Sequence, residues 1–354
     1  MRHYVHHPSL LLWGPQWGWM GVNLFFVLSG FLITSILLRI ATHTGALRTF
    51  YARRSLRLFP LYFLALLVYF AASAAVGTPQ PVRTVLLYLT FLQAFLPPPL
   101  THLQIVPHPA WVVMGFGVLW SLSVEECFYV LWGPVVAFTR GRRAPILGIL
   151  ACILVLTPFL RFFYPDPRGG QELFLAQMDS LAAGCLAGIL WQDHANRWRA
   201  RLQRLAGWFY TFGVTMIGLA IWIDFATGIH KRSDFDFRIF NATDYSALWI
   251  AWSSLLLTVL AVSGTPSRMA RLLRHPVLCW FGRISYCLYA VHYPIYLALR
   301  NYLPHPVALV AALGASLAVS ALSWRYFEGP IARWKQHAFR YRMEPQPGSP
   351  GVAD

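Results

Sequence analysis

The chain alternates between long unbroken apolar blocks and short connectors rich in arginine or acid. Nine blocks, at 18–38, 58–78, 117–138, 145–163, 173–191, 206–226, 245–263, 277–299 and 305–325, each approach the ~20 residues that cross a hydrocarbon core as a helix. Their polar residues are too sparse to give a soluble amphipathic face, so each block predicts a full membrane span. A tenth block, 83–98, is apolar but shorter, and it runs into Pro97, Pro98 and Pro99. It is apolar enough to span, and the charge parity below makes it a re-entrant or interfacial helix on the outer side, ended by these prolines, which have no N–H to continue a helix.

The connectors orient the spans. Arg39, Arg48, Arg53, Arg54 and Arg57 fall in 39–57, and further clusters stand at Arg140, Arg142 and Arg143; at Arg197, Arg199, Arg201 and Arg204; at Arg268, Arg271 and Arg274; and at Arg333, Lys335, Arg340 and Arg342. With nine full spans all five clusters lie on one side. Cytoplasmic loops carry the excess of Lys and Arg, so that side is expected to be the cytoplasm of a multi-pass inner-membrane protein. The opposite connectors hold Asp166, Asp234, Asp236 and Asp244. Counting 83–98 as a crossing would move the later clusters to the wrong side. The same parity puts Met1 outside and predicts a further transmembrane helix ahead of it.

Composition agrees. The chain is 57% hydrophobic and 12% charged, with mean hydropathy +0.51, against about 25% charged in soluble domains. The formal charge of +16 is scattered between apolar blocks, which disfavours a nucleic-acid partner and points to the lipid bilayer. Cys127, Cys152, Cys185, Cys279 and Cys287 form no CxxC pair and read as buried small hydrophobes. No Walker loop, GxSxG elbow, HxxxxD pattern or metal-ligand spacing occurs, so no metal is expected.

Acids inside apolar blocks are the sharpest chemical signal. A carboxylate at membrane depth is costly and belongs to a site or an ion pair. Glu125 and Glu126 lie in one span and Asp179 in another. Glu125 is the candidate catalytic acid or base; pairing with an arginine to lock helices is its bland alternative. Glu126 and Asp179 are candidate acceptor-binding groups. Ser29 beside Gly30 fits either close helix packing or a ligand groove. His292 is a candidate site residue or a satisfied interior histidine. Glu328 reads as structural, paired with Arg325 or another base. Arg53 and Arg57, at i and i+4, share a helix face, and guanidinium forks match phosphate oxygens; with Arg54 they are candidate donor-binding residues or positive-inside anchors.

Five stretches resemble the acyltransferase-3 family of integral membrane O-acyltransferases: GWMGVNLFFVLSGFLIT (Gly18–Thr34), YARRSLRLFPLYFLAL (Tyr51–Leu66), WSLSVEECFYVLWGP (Trp120–Pro134), MDSLAAGCLAG (Met178–Gly188), and FGRISYCLYAVHYPI (Phe281–Ile295) with YFEGP (Tyr326–Pro330). They occur in family order. Cys127 stands where the family usually has Gln, and Asn23 where an acid is common. The resemblance implies an all-α polytopic transmembrane helical bundle with about nine full spans and one re-entrant or interfacial helix. A membrane domain would cover 1–334, and 335–354 would form a basic, then disordered, cytoplasmic tail.

It also implies transfer of an acyl group, usually acetyl, from acyl-CoA to a hydroxyl of a carbohydrate or lipid-linked glycan, with acetyl-CoA as co-substrate and no bound cofactor. Succinyl-CoA as donor, and a non-catalytic transporter or flippase of acylated glycans, are the alternatives; no internal repeat of the kind transporters carry is visible. Family members have an Arg and an essential His at the first helix. His3 is the best match to that His, with His6 and His7 as alternatives, and it would serve as general base.

Overall fold

The computed structural model describes residues 20–41, 43, 45–75, 77, 79–95, 116–164, 173–227, 234–263 and 265–339. The described chain is helical, without strands. Its α-helices are α1 (Met20–Ile40), α2 (Ala46–Ala75), α3 (Val82–Leu89), α4 (Trp120–Phe138), α5 (Arg143–Phe163), α6 (Met178–Thr227), α7 (Asp234–Val262), α8 (Arg268–Leu273), α9 (Pro276–Leu299), α10 (His305–Ser323) and α11 (Gly329–Ala338), with a π-helical turn, Trp324–Glu328, between the last two.

Helix termini follow local chemistry. Proline opens α9 at Pro276, where its missing N–H costs nothing. The Ser267 side chain caps α8 by accepting the Ala270 N–H. Polarity is inverted relative to a soluble protein. Glu125 and Asp179 are fully buried, as are Ser121 and Ser180, whereas Leu67, Val155, Phe159, Phe163 and Val310 are exposed. That distribution suits a lipid solvent, which rewards exposed apolar side chains and gives charged ones no partner.

Six of the described helical segments are long and apolar enough to cross a membrane: Met20–Ile40, Ala46–Ala75, Arg143–Phe163, Phe174–Gln192, Tyr245–Val262 and His305–Ala338. The expected spans at 117–138, 206–226 and 277–299 are not among them. Two of these carry charge: α4 holds Glu125 and Glu126, and α9 holds Arg283 and His292. The segment 83–98 is not a crossing helix. α3 has eight residues, about 12 Å, and is followed by a 3-10 turn at Leu92–Phe95. Between them Phe91 takes φ +59°, a conformation unfavourable for a bulky residue. Its ring is held 4.3 Å from Tyr62 and 5.4 Å from Phe59, and its carbonyl accepts the Cys127 S–H.

Three boundaries differ from expectation. α2 begins at Ala46, so Arg48, Arg53, Arg54 and Arg57 are helical and not in a connector. Arginine is a good helix former, and a side chain one turn inside the helix reaches the bundle interior. α11 continues to Ala338, so the first residues of the expected tail are helical.

The third difference concerns 173–191 and 206–226, which belong to one helix of 50 residues. Drawn straight it would measure about 75 Å. Its contacts require it to double back. Gly184 meets Val27, and Gly188 meets Phe31. Beyond residue 192 the order reverses: Thr258 donates to the Ala206 carbonyl, Gly213 packs on Ala251 and Leu255, and Ile221 returns to Met20. The two limbs are therefore antiparallel, as expected of consecutive spans.

Candidate active site

α1, α2 and α4 converge on one buried polar cluster. The Ser29 hydroxyl of α1 donates to Glu125 Oε1 of α4. Arg54 of α2 donates through Nη2 to the same oxygen at 2.5 Å and also to the Tyr129 hydroxyl. The Tyr129 O–H in turn donates to Ser29 Oγ at 3.0 Å, and the Arg54 guanidinium lies 4.1 Å from the Tyr129 ring centroid. Tyr129 is four residues after Glu125, so one helix face presents both. Glu125 Oε2 and Glu126 Oε1 are buried and lack a hydrogen-bond partner.

Neighbouring bonds fix the helices that carry these groups. Trp132 Nε1 donates to Thr34 Oγ1 at 2.8 Å, joining α4 to α1. Tyr51 Oη donates to the Tyr129 carbonyl at 3.1 Å, joining α2 to α4. Tyr286 of α9 donates to the Leu58 carbonyl at 2.8 Å. Gly30 and Gly184 let α1 and α6 touch: a Cβ on Gly30 would collide with the Leu181 carbonyl oxygen, and one on Gly184 with that of Val27. Gly30 thus serves close packing, while Ser29, one residue earlier, turns toward Glu125.

The three candidate donor-binding arginines separate. Arg54 points inward and belongs to the Glu125 cluster. Arg53 donates to the Phe339 carbonyl beyond α11, and Arg57 is exposed. Lys335 of α11 lies within electrostatic reach of both, which adds a cation that the sequence had placed in the tail. Glu328 is near Arg57 and accepts the Ser323 hydroxyl at 3.1 Å; no ion pair to Arg325 occurs among the described residues.

Asp179 is taken up elsewhere. Arg161 of α5 grips it bidentately, Nη1 to Oδ1 at 3.2 Å and Nη2 to Oδ2. Arg161 also donates to the Ala176 carbonyl at 2.9 Å and to Ser246 Oγ at 3.1 Å. This ion pair ties α5, α6 and α7 together. Asp179 thus has a helix-locking partner in Arg161. Breaking one side of a buried pair costs about 3–5 kcal/mol, whereas removing both charges together is often nearly neutral. Asp179→Leu is therefore expected to lower the thermal midpoint in detergent sharply. Arg161→Met with Asp179→Leu should recover most of it and keep transfer activity. A double variant that folds but transfers nothing would place Asp179 in the site.

His292 sits on α9, where Nδ1 contacts the Tyr289 and Leu288 carbonyls at 2.7 and 3.2 Å. Its bonds are to its own helix, and it makes none to the Glu125 cluster. His3, His6 and His7 lie outside the described residues.

A family model described as an acyltransferase domain, Acyl_transf_3, matches residues 2–325. The chain belongs to the acyltransferase-3 family. It is 26% identical over 358 residues to the O-acetyltransferase OatA of Staphylococcus aureus (strain NCTC 8325 / PS 47), covering 92% of this chain and 55% of that protein. It is 24% identical over 335 residues to the peptidoglycan O-acetyltransferase OatA of Listeria monocytogenes serovar 1/2a, covering 89% and 51%. The chain spans about half the length of these curated relatives. No solved structure matches it significantly. Within this acyltransferase domain, Tyr129 and Arg161 are the members of the two polar networks that sequence reasoning missed. Tyr129 resembles core aromatic filling, and only its i+4 spacing from Glu125 signals otherwise. Arg161 stands at a span end, where anchoring explains an arginine equally well.

Proposed function

We propose that this membrane O-acyltransferase moves an acyl group, in the first instance acetyl, from acyl-CoA to a hydroxyl of a cell-envelope carbohydrate or lipid-linked glycan. The observation that carries this is the buried Ser29–Glu125–Arg54–Tyr129 cluster inside a chain of this family. Peptidoglycan modification by the Listeria relative supports a carbohydrate acceptor. Glu125 holds charge where a proton must move, and its unpartnered Oε2 is available to a hydroxyl or thiol. A histidine of the amino-terminal segment, His3 first and His6 or His7 otherwise, takes the acceptor proton.

Donor phosphates belong at Arg53, Arg57 and Lys335, cations of α2 and α11 that lie within electrostatic reach of one another. Forked guanidiniums match phosphate oxygens, and charge-assisted bonds are the strong ones. By the arginine clusters this end faces the cytoplasm, where CoA resides, in a bacterial inner membrane, with the carboxy terminus on the same side. Ser29 and Glu126 face the transferred group.

The test is transfer of labelled acetyl from acetyl-CoA to a muropeptide or lipid-linked glycan by protein in vesicles. Arg53→Ala with Arg57→Ala should weaken CoA binding by about 1.5–3 kcal/mol per lost contact while leaving insertion intact. Unchanged CoA affinity in that double variant would make both residues membrane anchors. Absence of transfer by the wild-type chain from any acyl-CoA would overturn the proposed reaction.

A further inference from the structure

We propose that Ser29 carries the acyl group as a covalent ester between donor and acceptor. This rests on the acyltransferase reading above and adds a step to it. Ser29 has what an activated nucleophile needs: a base accepting its proton, and a third group holding that base. Its O–H donates to Glu125 Oε1. Arg54 anchors that carboxylate at 2.5 Å, and Tyr129 donates to Ser29 Oγ at 3.0 Å, which fixes the direction of the remaining lone pair. The backbone is equally constrained, because Gly30 seats α1 against Leu181 and Cys185 of α6.

A second observation points the same way. Ser29 and Arg54 both donate to Oε1 of Glu125, and Oε2 is buried without a partner. Buried polar atoms are nearly always paired, and Oε2 is the oxygen of Glu125 open to a proton-bearing group of a substrate. A thiol leaving the donor and a hydroxyl arriving with the acceptor both qualify.

Position gives the ester a purpose. Ser29 is nine residues along α1 from Met20, about 14 Å, or roughly half the ~30 Å hydrocarbon core. An ester at that depth holds the acyl group inside the bundle after CoA has left, next to Glu125.

The chemistry balances without a further reactant. Ser29 Oγ attacks the thioester carbonyl carbon; the Oγ–C bond forms and the C–S bond breaks. The serine proton passes to Glu125 and from there to the departing sulfur, releasing CoA as the thiol. The acceptor oxygen then attacks the ester carbonyl, and the C–Oγ bond breaks. The proton the acceptor gives up is balanced by one that Ser29 Oγ regains through the Glu125 carboxylate, so the protein ends as it began.

Purified protein incubated with radiolabelled acetyl-CoA and no acceptor is expected to gain acid-stable label on the peptide containing Ser29, seen by mass spectrometry. Ser29→Ala should show no label and less than about one hundredth of wild-type transfer. Ser29→Cys should acquire label that neutral hydroxylamine releases, as a thioester. If Ser29→Ala aggregates, the Ser29→Cys variant decides alone: label on the peptide that carries the substitution supports the ester, and its absence overturns it. Wild-type transfer rates in Ser29→Ala, or label on another residue, would remove the ester and leave the acyltransferase reading standing. A wild-type chain that transfers nothing from acyl-CoA removes both.

Discussion

Glu125→Gln is expected to lower acyl transfer by about two to four orders of magnitude, the range contributed by a positioned acid–base group, in protein that still inserts and folds. Glu125 is fully buried and accepts from Ser29 and Arg54 through one oxygen. Glutamine keeps the length and one acceptor oxygen, so the helix contacts survive. What disappears is the negative charge and with it the capacity to take a proton. The Arg54 guanidinium then loses its counterion, and a modest fall in thermal midpoint should accompany the loss of activity. Glu125→Asp provides the contrast: charge remains, but the carboxylate withdraws by one methylene, about 1.5 Å, and no longer reaches Ser29. Both variants should therefore be inactive, with only the glutamine one losing the ion pair. Normal transfer by Glu125→Gln would leave the carboxylate as the bland helix lock that its pairing with Arg54 would equally explain.

The largest structural effect should come from Gly184→Leu. A Cβ at that position would collide with the Val27 carbonyl oxygen and sit 2.9 Å from the Phe31 nitrogen, and both are backbone atoms that no rotamer change can move. Adding atoms to a packed interior costs about 1–3 kcal/mol when side chains can adjust; here α1 and α6 must separate, and the cost lies at or beyond the top of that range. Small residues are the device by which membrane helices approach closely, and Gly184, Gly188 and Gly30 form such a seam. The expected outcome is little monodisperse protein after detergent extraction, with Gly184→Ala intermediate. Gly218→Leu is the control, since nothing lies within 4 Å of its added Cβ. Equal yields from Gly184→Leu and Gly218→Leu would show that the seam does not hold the bundle.

These two variants probe one assembly. The glycine seam sets the rotation of α1, that rotation aims Ser29 at α4, and Glu125 receives it. A change at Gly184 is accordingly expected to reduce activity even in molecules that survive extraction, with no alteration of any polar group.

Much of this was legible in the amino-acid sequence. Apolar blocks of spanning length predicted helices at most of the places where they occur, because the backbone in lipid has little alternative to an α-helix. The parity of the arginine clusters signalled that 83–98 does not cross, and five ordered motifs marked the family. Glu125 stood out because a carboxylate inside an apolar block is expensive wherever it points. Partners were not legible, because pairing depends on the rotation of helices far apart in the chain. Arg54, Arg53 and Arg57 looked like one phosphate-binding group; the start of α2 at Ala46 and a 100° step per residue sent Arg54 inward and left the others outside. Asp179 and Glu125 looked alike as buried acids, and only tertiary packing gave one a bidentate arginine and the other a serine, a tyrosine and an empty second oxygen.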